Sequence, residues 1–134
     1  MKPRVTLITL GVDDLERALR FYRDGLGLAT EGIVGQEFER GAVAFFDLQP
    51  GLRLALWPRR SLAHDAGMPL SPPSPTDLSL GHNVASRAEV DGVMAHAAAA
   101  GSMFVLHGPH KAVLISYPDY KTMRKLMPDA VNHR

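Results

Sequence analysis

The sequence predicts an α+β fold in which one βαβββ unit is stated twice. Three observations carry this. A β-branched apolar run, Val5 to Val12, leads directly into a capped amphipathic helix. The same order returns in the second half of the chain, and a proline-rich stretch separates the two. A strand–helix–three-strand order stated twice argues for two sheets, each with a helix packed on one face.

In the first unit, residues 4–58, Asp13 or Asp14 offers the helix N-cap, because a short carboxylate accepts hydrogen bonds from the open amides of the first turn. Asp13 with Glu16 also has capping-box spacing. Leu15, Ala18, Leu19, Tyr22 and Leu26 form the apolar stripe, while Glu16, Arg17, Arg20, Arg23 and Asp24 take the wet face. Gly25 and Gly27 end the helix. Strands are expected at Ala29–Val34, Ala42–Leu48 and Leu52–Trp57, with a Gln49-Pro50-Gly51 turn joining the last two.

Residues 59–77 are expected as a connector, since Pro69, Pro72, Pro73 and Pro75 lack the amide donor of a helix or ladder. The second unit, residues 78–134, opens with a strand from Leu78 to Val84. Ser86 and Glu89 then form a capping box, and Ser86 lies 73 positions after Asp13 and 72 after Asp14. Val90, Val93, Met94, Ala97 and Ala98 carry the second helical stripe, closed by Gly101. Met103–Leu106 and Ala112–Tyr117 read as further strands.

Composition bounds what such a protein does. At 134 residues, 46% hydrophobic and 22% charged, one soluble globular body is expected, large enough to bury a core without staples. A net charge of +1 gives no reason to expect nucleic acid or an acidic membrane surface. The absence of cysteine excludes disulfides, thiolate nucleophiles and Cys-type zinc sites. The short, interrupted apolar run after Met1-Lys2-Pro3-Arg4 is unlike a secretory signal, so the cytoplasm is the expected location.

The run from Leu7 to Leu28 contains a strand, then Val12-Asp13-Asp14-Leu15-Glu16-Arg17, then Phe21-Tyr22, then Leu26-Gly27-Leu28. It resembles the opening of the vicinal oxygen chelate superfamily, which includes glyoxalase I, bleomycin-resistance proteins and extradiol dioxygenases. The resemblance continues through Ala42–Pro58 and Ser79–Gly101. It implies that the sheets curl into a cup-like mixed sheet, with one helix outside each unit and a binding cavity between paired units. It also implies a homodimer, since paired cups often lie across subunits.

Metalloenzyme members of that family place a His, Gln or Glu on the first and last strand of each unit. The matching positions here are Leu7, Ala55, Ser79 and Arg124, the last fixed by Tyr117-Pro118-Asp119-Tyr120. Leucine and alanine have no donor atom, serine is a poor ligand and arginine repels a cation. No metal is therefore expected, and Zn, Ni, Fe or Mn enters only with the metalloenzyme alternative. The tail from about His107, with Lys111, Lys121, Arg124 and Lys125, departs from the family pattern.

Strand alternation names the cup lining: Thr9 and Gly11 with Leu7, Arg53 and Trp57 flanking Ala55, and Asn83 in the second unit. Phe45 and Phe46 face opposite sides of their strand, and Phe45 is taken as the cup residue. Trp57 beside Arg53 suits a planar or anionic organic ligand, or else Trp57 plugs the core next to Pro58. Alternation puts His82 with Leu80 and Val84 against the helix, as a core or interface histidine, with general base the sharper reading. His64, beside Asp65, reads as an exposed loop residue or part of a lid, and His107 and His110 as surface loop histidines.

Three functions remain open, in this order. The first is a metal-free, bleomycin-resistance-like protein that binds a small organic molecule. The second is a glyoxalase-like lyase or dioxygenase-type metalloenzyme, and the third is a dimerisation module with no small ligand.

Overall fold

A computed structural model describes residues 1–72, 78, 80–100, 103–106 and 111–115. Ser79, Gly101, His107, His110 and Arg124 lie outside the described residues. The chain divides into two compact units, Met1–Pro72 and Pro73–Arg134.

The first unit runs β1 (Leu7–Val12), α1 (Leu15–Arg20), β2 (Ile33–Val34), β3 (Val43–Asp47), β4 (Arg53–Pro58) and α2 (Arg59–Asp65). Its sheet has the order β1-β4-β3-β2, with β1 parallel to β4 and the other pairs antiparallel. The βαβββ order expected for this half is present. The sheet is open, with β1 and β2 at its edges.

Helix α1 starts where its cap allows. Asp14 sits in extended backbone and its Oδ1 accepts from the Arg17 amide at 2.9 Å, so Asp14 is the cap. Asp13 instead faces Arg59, 3.5 Å away. Replacing Asp14 with alanine leaves that amide open and should lower stability by about 1 kcal/mol in a denaturant titration. A π-helical turn, Phe21–Gly25, continues α1 and puts Tyr22 into the core. On its wet side the Arg23 guanidinium hydrogen-bonds Asp24 at 2.6 Å, which holds that carboxyl below the usual carboxylate range.

The core lies between α1 and one face of the sheet. Leu10 and Val12 of β1, Ala44 and Phe46 of β3, and Leu54 and Leu56 of β4 are all buried there with Leu19 and Tyr22. These are the even-numbered strand residues, because side chains alternate across a strand. Tyr22 and Phe46 meet with ring centroids 5.7 Å apart. Each fully buried large side chain contributes about 1.5–3 kcal/mol by leaving water. The β3–β4 hairpin closes through Gln49–Leu52, with the Leu52 amide donating to the Gln49 carbonyl at 2.9 Å.

One expectation is corrected here. The first third of the expected connector is helical: α2 packs against β1 and β4 and buries Ser61. Gly11 permits this approach, since a Cβ there would lie 3.0 Å from Arg59 Cγ and 3.4 Å from Leu62 Cδ2. The prolines begin only at Pro69, so nothing in residues 59–65 opposes a helical turn.

The second unit contains β5 (Leu80–Asn83), α3 (Arg87–Ala99), β6 (Met103–Leu106) and β7 (Lys111–Ile115). Ser86 caps α3 by accepting from the Glu89 amide at 3.3 Å, and the Glu89 carboxylate reaches back to the Ala85 amide at 3.1 Å. Val90 and Ala97 are buried and Val93 and Met94 half-buried, whereas Ala98 is exposed, so the stripe is narrower than expected. The strand order is β5-β7-β6 with both pairs antiparallel. In the first unit the partner of the opening strand is parallel to it; among the described residues of the second unit it is antiparallel.

His82 requires a second correction. It is exposed on β5, which removes the core half of that reading and leaves the interface half standing. Helix α3 lies chiefly on β6 and β7, so the strand that carries His82 has little helix above it.

Candidate functional site

The sheet face of the first unit that points away from α1 holds the odd-numbered residues of its strands. Register arranges them in rows. Leu7 stands beside Arg53, and Arg53 beside Asp47; Thr9 stands beside Ala55, and Ala55 beside Phe45. Gly11 pairs with Trp57 in the next row. Adjacent strands lie about 4.8 Å apart, so each row is one small-molecule width across. The structure therefore brings Thr9, Phe45, Arg53 and Trp57 onto one face around Ala55. Asn83, the remaining residue expected in the lining, is exposed on β5 of the second unit.

Ala55 is 2% exposed although its side chain is one methyl, because larger residues flank it on its own strand and on β3. It forms a floor. Phe45 and Trp57 are half-buried and Thr9 exposed, so the face is partly apolar and open to solvent. Phe46, by contrast, is fully buried on the α1 side.

Arg53 makes two contacts across this face. Its Cζ lies 4.7 Å from the centroid of the Phe45 ring, and its Nε is 3.0 Å from Asp47 Oδ1 in an ion pair. Both partners of the ion pair are well exposed, at 49% and 77%. Such a pair contributes about 0–1 kcal/mol and is readily exchanged for another anion. The guanidinium is thus a flat donor group backed by an aromatic ring, which suits a carboxylate or a polarised carbonyl.

Trp57 is held differently. Its indole N–H donates to the backbone carbonyl of Arg40 at 3.0 Å, which leaves the ring faces as its means of contact. The Gly11 end of the face is closed by Arg59 and Leu62 of α2. His64, expected in a loop, lies on α2 with its Nε2 2.8 Å from Arg40 Nη1.

Three contributors were not named from the sequence. Asp47 had a usable signal, since the Gln49–Leu52 turn sets a register in which Asp47 faces Arg53. Arg40 had none, because it meets Trp57 through its backbone carbonyl. Helix α2 is seven residues long, too short to show periodicity.

A divalent metal does not fit the first unit. The two ligand positions that fall there, Leu7 and Ala55, present only hydrocarbon. Among the described residues no group of three or more His, Asp or Glu side chains comes together. Among them, too, no helix is long and apolar enough to cross a membrane.

Residues 4–115 match the family described as the Glyoxalase/Bleomycin resistance protein/Dioxygenase superfamily. Among solved structures, a glyoxalase-related enzyme from Fulvimarina pelagi is 33% identical, covering 77% of this chain and 68% of that one, with a TM-score of 0.61. A glyoxalase/bleomycin resistance protein/dioxygenase from Nocardioides is 25% identical over 81% of this chain and 68% of its own, with a TM-score of 0.57. A lactoylglutathione lyase from Agrobacterium tumefaciens, 19% identical over 87% of both chains with a TM-score of 0.52, shares the fold. No curated protein matches the chain.

Proposed function

This chain belongs to the glyoxalase/bleomycin resistance protein/dioxygenase superfamily, and on that premise we propose that it binds a small planar organic molecule without a metal. In this reading it is bleomycin-resistance-like. One observation carries the reading: around Ala55, a donorless floor, stand an aromatic ring, a second aromatic ring and a guanidinium. A metalloenzyme needs donor atoms there. A binder of planar molecules needs flat apolar surface and one fixed charge, and both are present.

Ligand recognition then divides among the side chains. The Trp57 ring stacks on the ligand, Phe45 supports the guanidinium from below, and Arg53 exchanges Asp47 for an acidic group of the ligand. Thr9 offers a hydroxyl at the opposite side of the floor. The homodimer and the cytoplasmic setting belong to the same reading. The exposed apolar residues Val5 and Leu7 at the β1 edge support pairing, and light scattering of the purified protein tests it.

A second reading, a glyoxalase-like lyase or dioxygenase-type metalloenzyme, is favoured by the 33% identity to a glyoxalase-related enzyme. Elemental analysis separates the two. Protein purified in buffer supplemented with Zn, Ni, Fe and Mn should carry far less than one metal per chain, and EDTA should leave its stability unchanged. Stoichiometric metal would sink the metal-free reading. Binding is then read by the emission of Trp57, the single tryptophan, titrated with planar aromatic carboxylates. Arg53→Gln should weaken a carboxylate that binds by roughly tenfold or more, the worth of a charge-assisted hydrogen bond.

A further inference from the structure

Arg40 joins two elements that the binding reading leaves unconnected. Its backbone has φ 60°, a left-handed conformation that a residue with a Cβ adopts rarely. Two contacts tie it to β4 and α2: its carbonyl accepts from Trp57 Nε1, and its guanidinium meets His64 of α2. A guanidinium has donors only, so His64 Nε2 is the acceptor in this contact. For that contact to form, the ring must be neutral with its proton on Nδ1. A proton on Nε2 would set an N–H and a positive charge against Arg40.

We propose that Arg40 and His64 are positioning residues for Trp57: neutral His64 anchors Arg40 so that its carbonyl holds the indole ring in place over the Ala55 floor. Protonation of His64 removes the anchor. Arg40 is then free to leave φ 60°, and the Trp57 N–H loses its acceptor.

The charged groups around His64 leave it this role. Glu39 lies 3.4 Å from Arg40 and is 85% exposed, a weak competitor for the guanidinium. On α2, Asp65 follows His64 in sequence, Arg60 is exposed, and Arg59 is engaged with Asp13 and the Ser71 carbonyl. Of the strands beneath α2, β1 has no titratable side chain. The only one on β4 is Arg53, at its far end and paired with Asp47.

The consequence for ligand affinity rests on the proposed function, but the positioning itself does not, so it is tested without ligand. The full-length protein is titrated from about pH 8 to about pH 5, the window in which histidines take up a proton, while Trp57 emission is followed. A reversible shift is expected. His64→Gln supplies an amide oxygen that accepts from the guanidinium and does not titrate; it should keep the neutral-pH emission and lose the shift. Arg40→Gly tolerates φ 60° but has no guanidinium to respond to His64, so it should lose the shift. No shift in the wild type, or a shift of equal size persisting in either variant, overturns the proposal. The remaining histidines are intact in both variants, so a signal from them would show as that persistence.

Discussion

Replacing Phe46 with alanine should destabilise the first unit by about 3–5 kcal/mol, enough to remove much of the stability a domain of this size has. Phe46 is fully buried, with no exposed surface, in the layer between β3 and α1. Its ring packs against Tyr22, which is 1% exposed, and its strand neighbour across the ladder is Leu54, also fully buried. Deleting the ring forfeits its transfer from water and leaves a cavity that such neighbours fill only in part. Denaturant unfolding followed by Trp57 emission reads the loss, since the single tryptophan lies in this unit. Phe45→Ala is the matched comparison on the opposite face, where the ring is half-buried, and should cost clearly less. Equal losses for the two would mean that the core is not on the α1 side.

Gly35→Ala should cost roughly 1–3 kcal/mol and alter the emission of Trp57 at the same time. Residues 35–41 form a tight loop, with the Phe38 amide donating to the Gly35 carbonyl and the Gly41 amide to the Phe38 carbonyl. The two glycines touch through their backbones. A Cβ on Gly35 would stand 2.5 Å from the Gly41 carbonyl oxygen, and backbone cannot swing aside as a side-chain tip does. Gly35 also has φ 73°, where a Cβ is strained regardless of space. Opening the loop moves Gly41, and with it Arg40, the acceptor for the indole N–H. Gly32→Ala isolates the backbone term: φ is 92° there, with nothing within 4 Å of the new Cβ. A Gly35 variant as stable as the Gly32 variant, with unchanged emission, would show that the loop does not hold Trp57.

Much of the fold was legible because its signals are local. Asp14 is recognisable as a cap from a carboxylate followed by a helical stripe, and Ser86 with Glu89 from spacing alone. Alternation put Phe45 and Phe46 on opposite faces, and it grouped Thr9, Arg53 and Trp57, since a strand gives each side chain one of two faces. It misplaced His82. Alternation names a face but not whether a helix covers it, and α3 lies chiefly on the other two strands.

The sequence by itself determined the family, the βαβββ order of the first unit and which of its residues share the face around Ala55. It also determined that Leu7 and Ala55 carry no donor atom, because side-chain chemistry does not depend on folding. Tertiary structure decided how that face is furnished. Arg53 lies over Phe45 and against Asp47, α2 closes the Gly11 end, and Arg40 in a left-handed conformation reaches both Trp57 and His64. The last of these joins residues 17 and 24 positions apart through a backbone carbonyl and a guanidinium. Pattern in a sequence records what each residue is and how its neighbours alternate; contacts between distant segments arise only when packing brings them within hydrogen-bond reach.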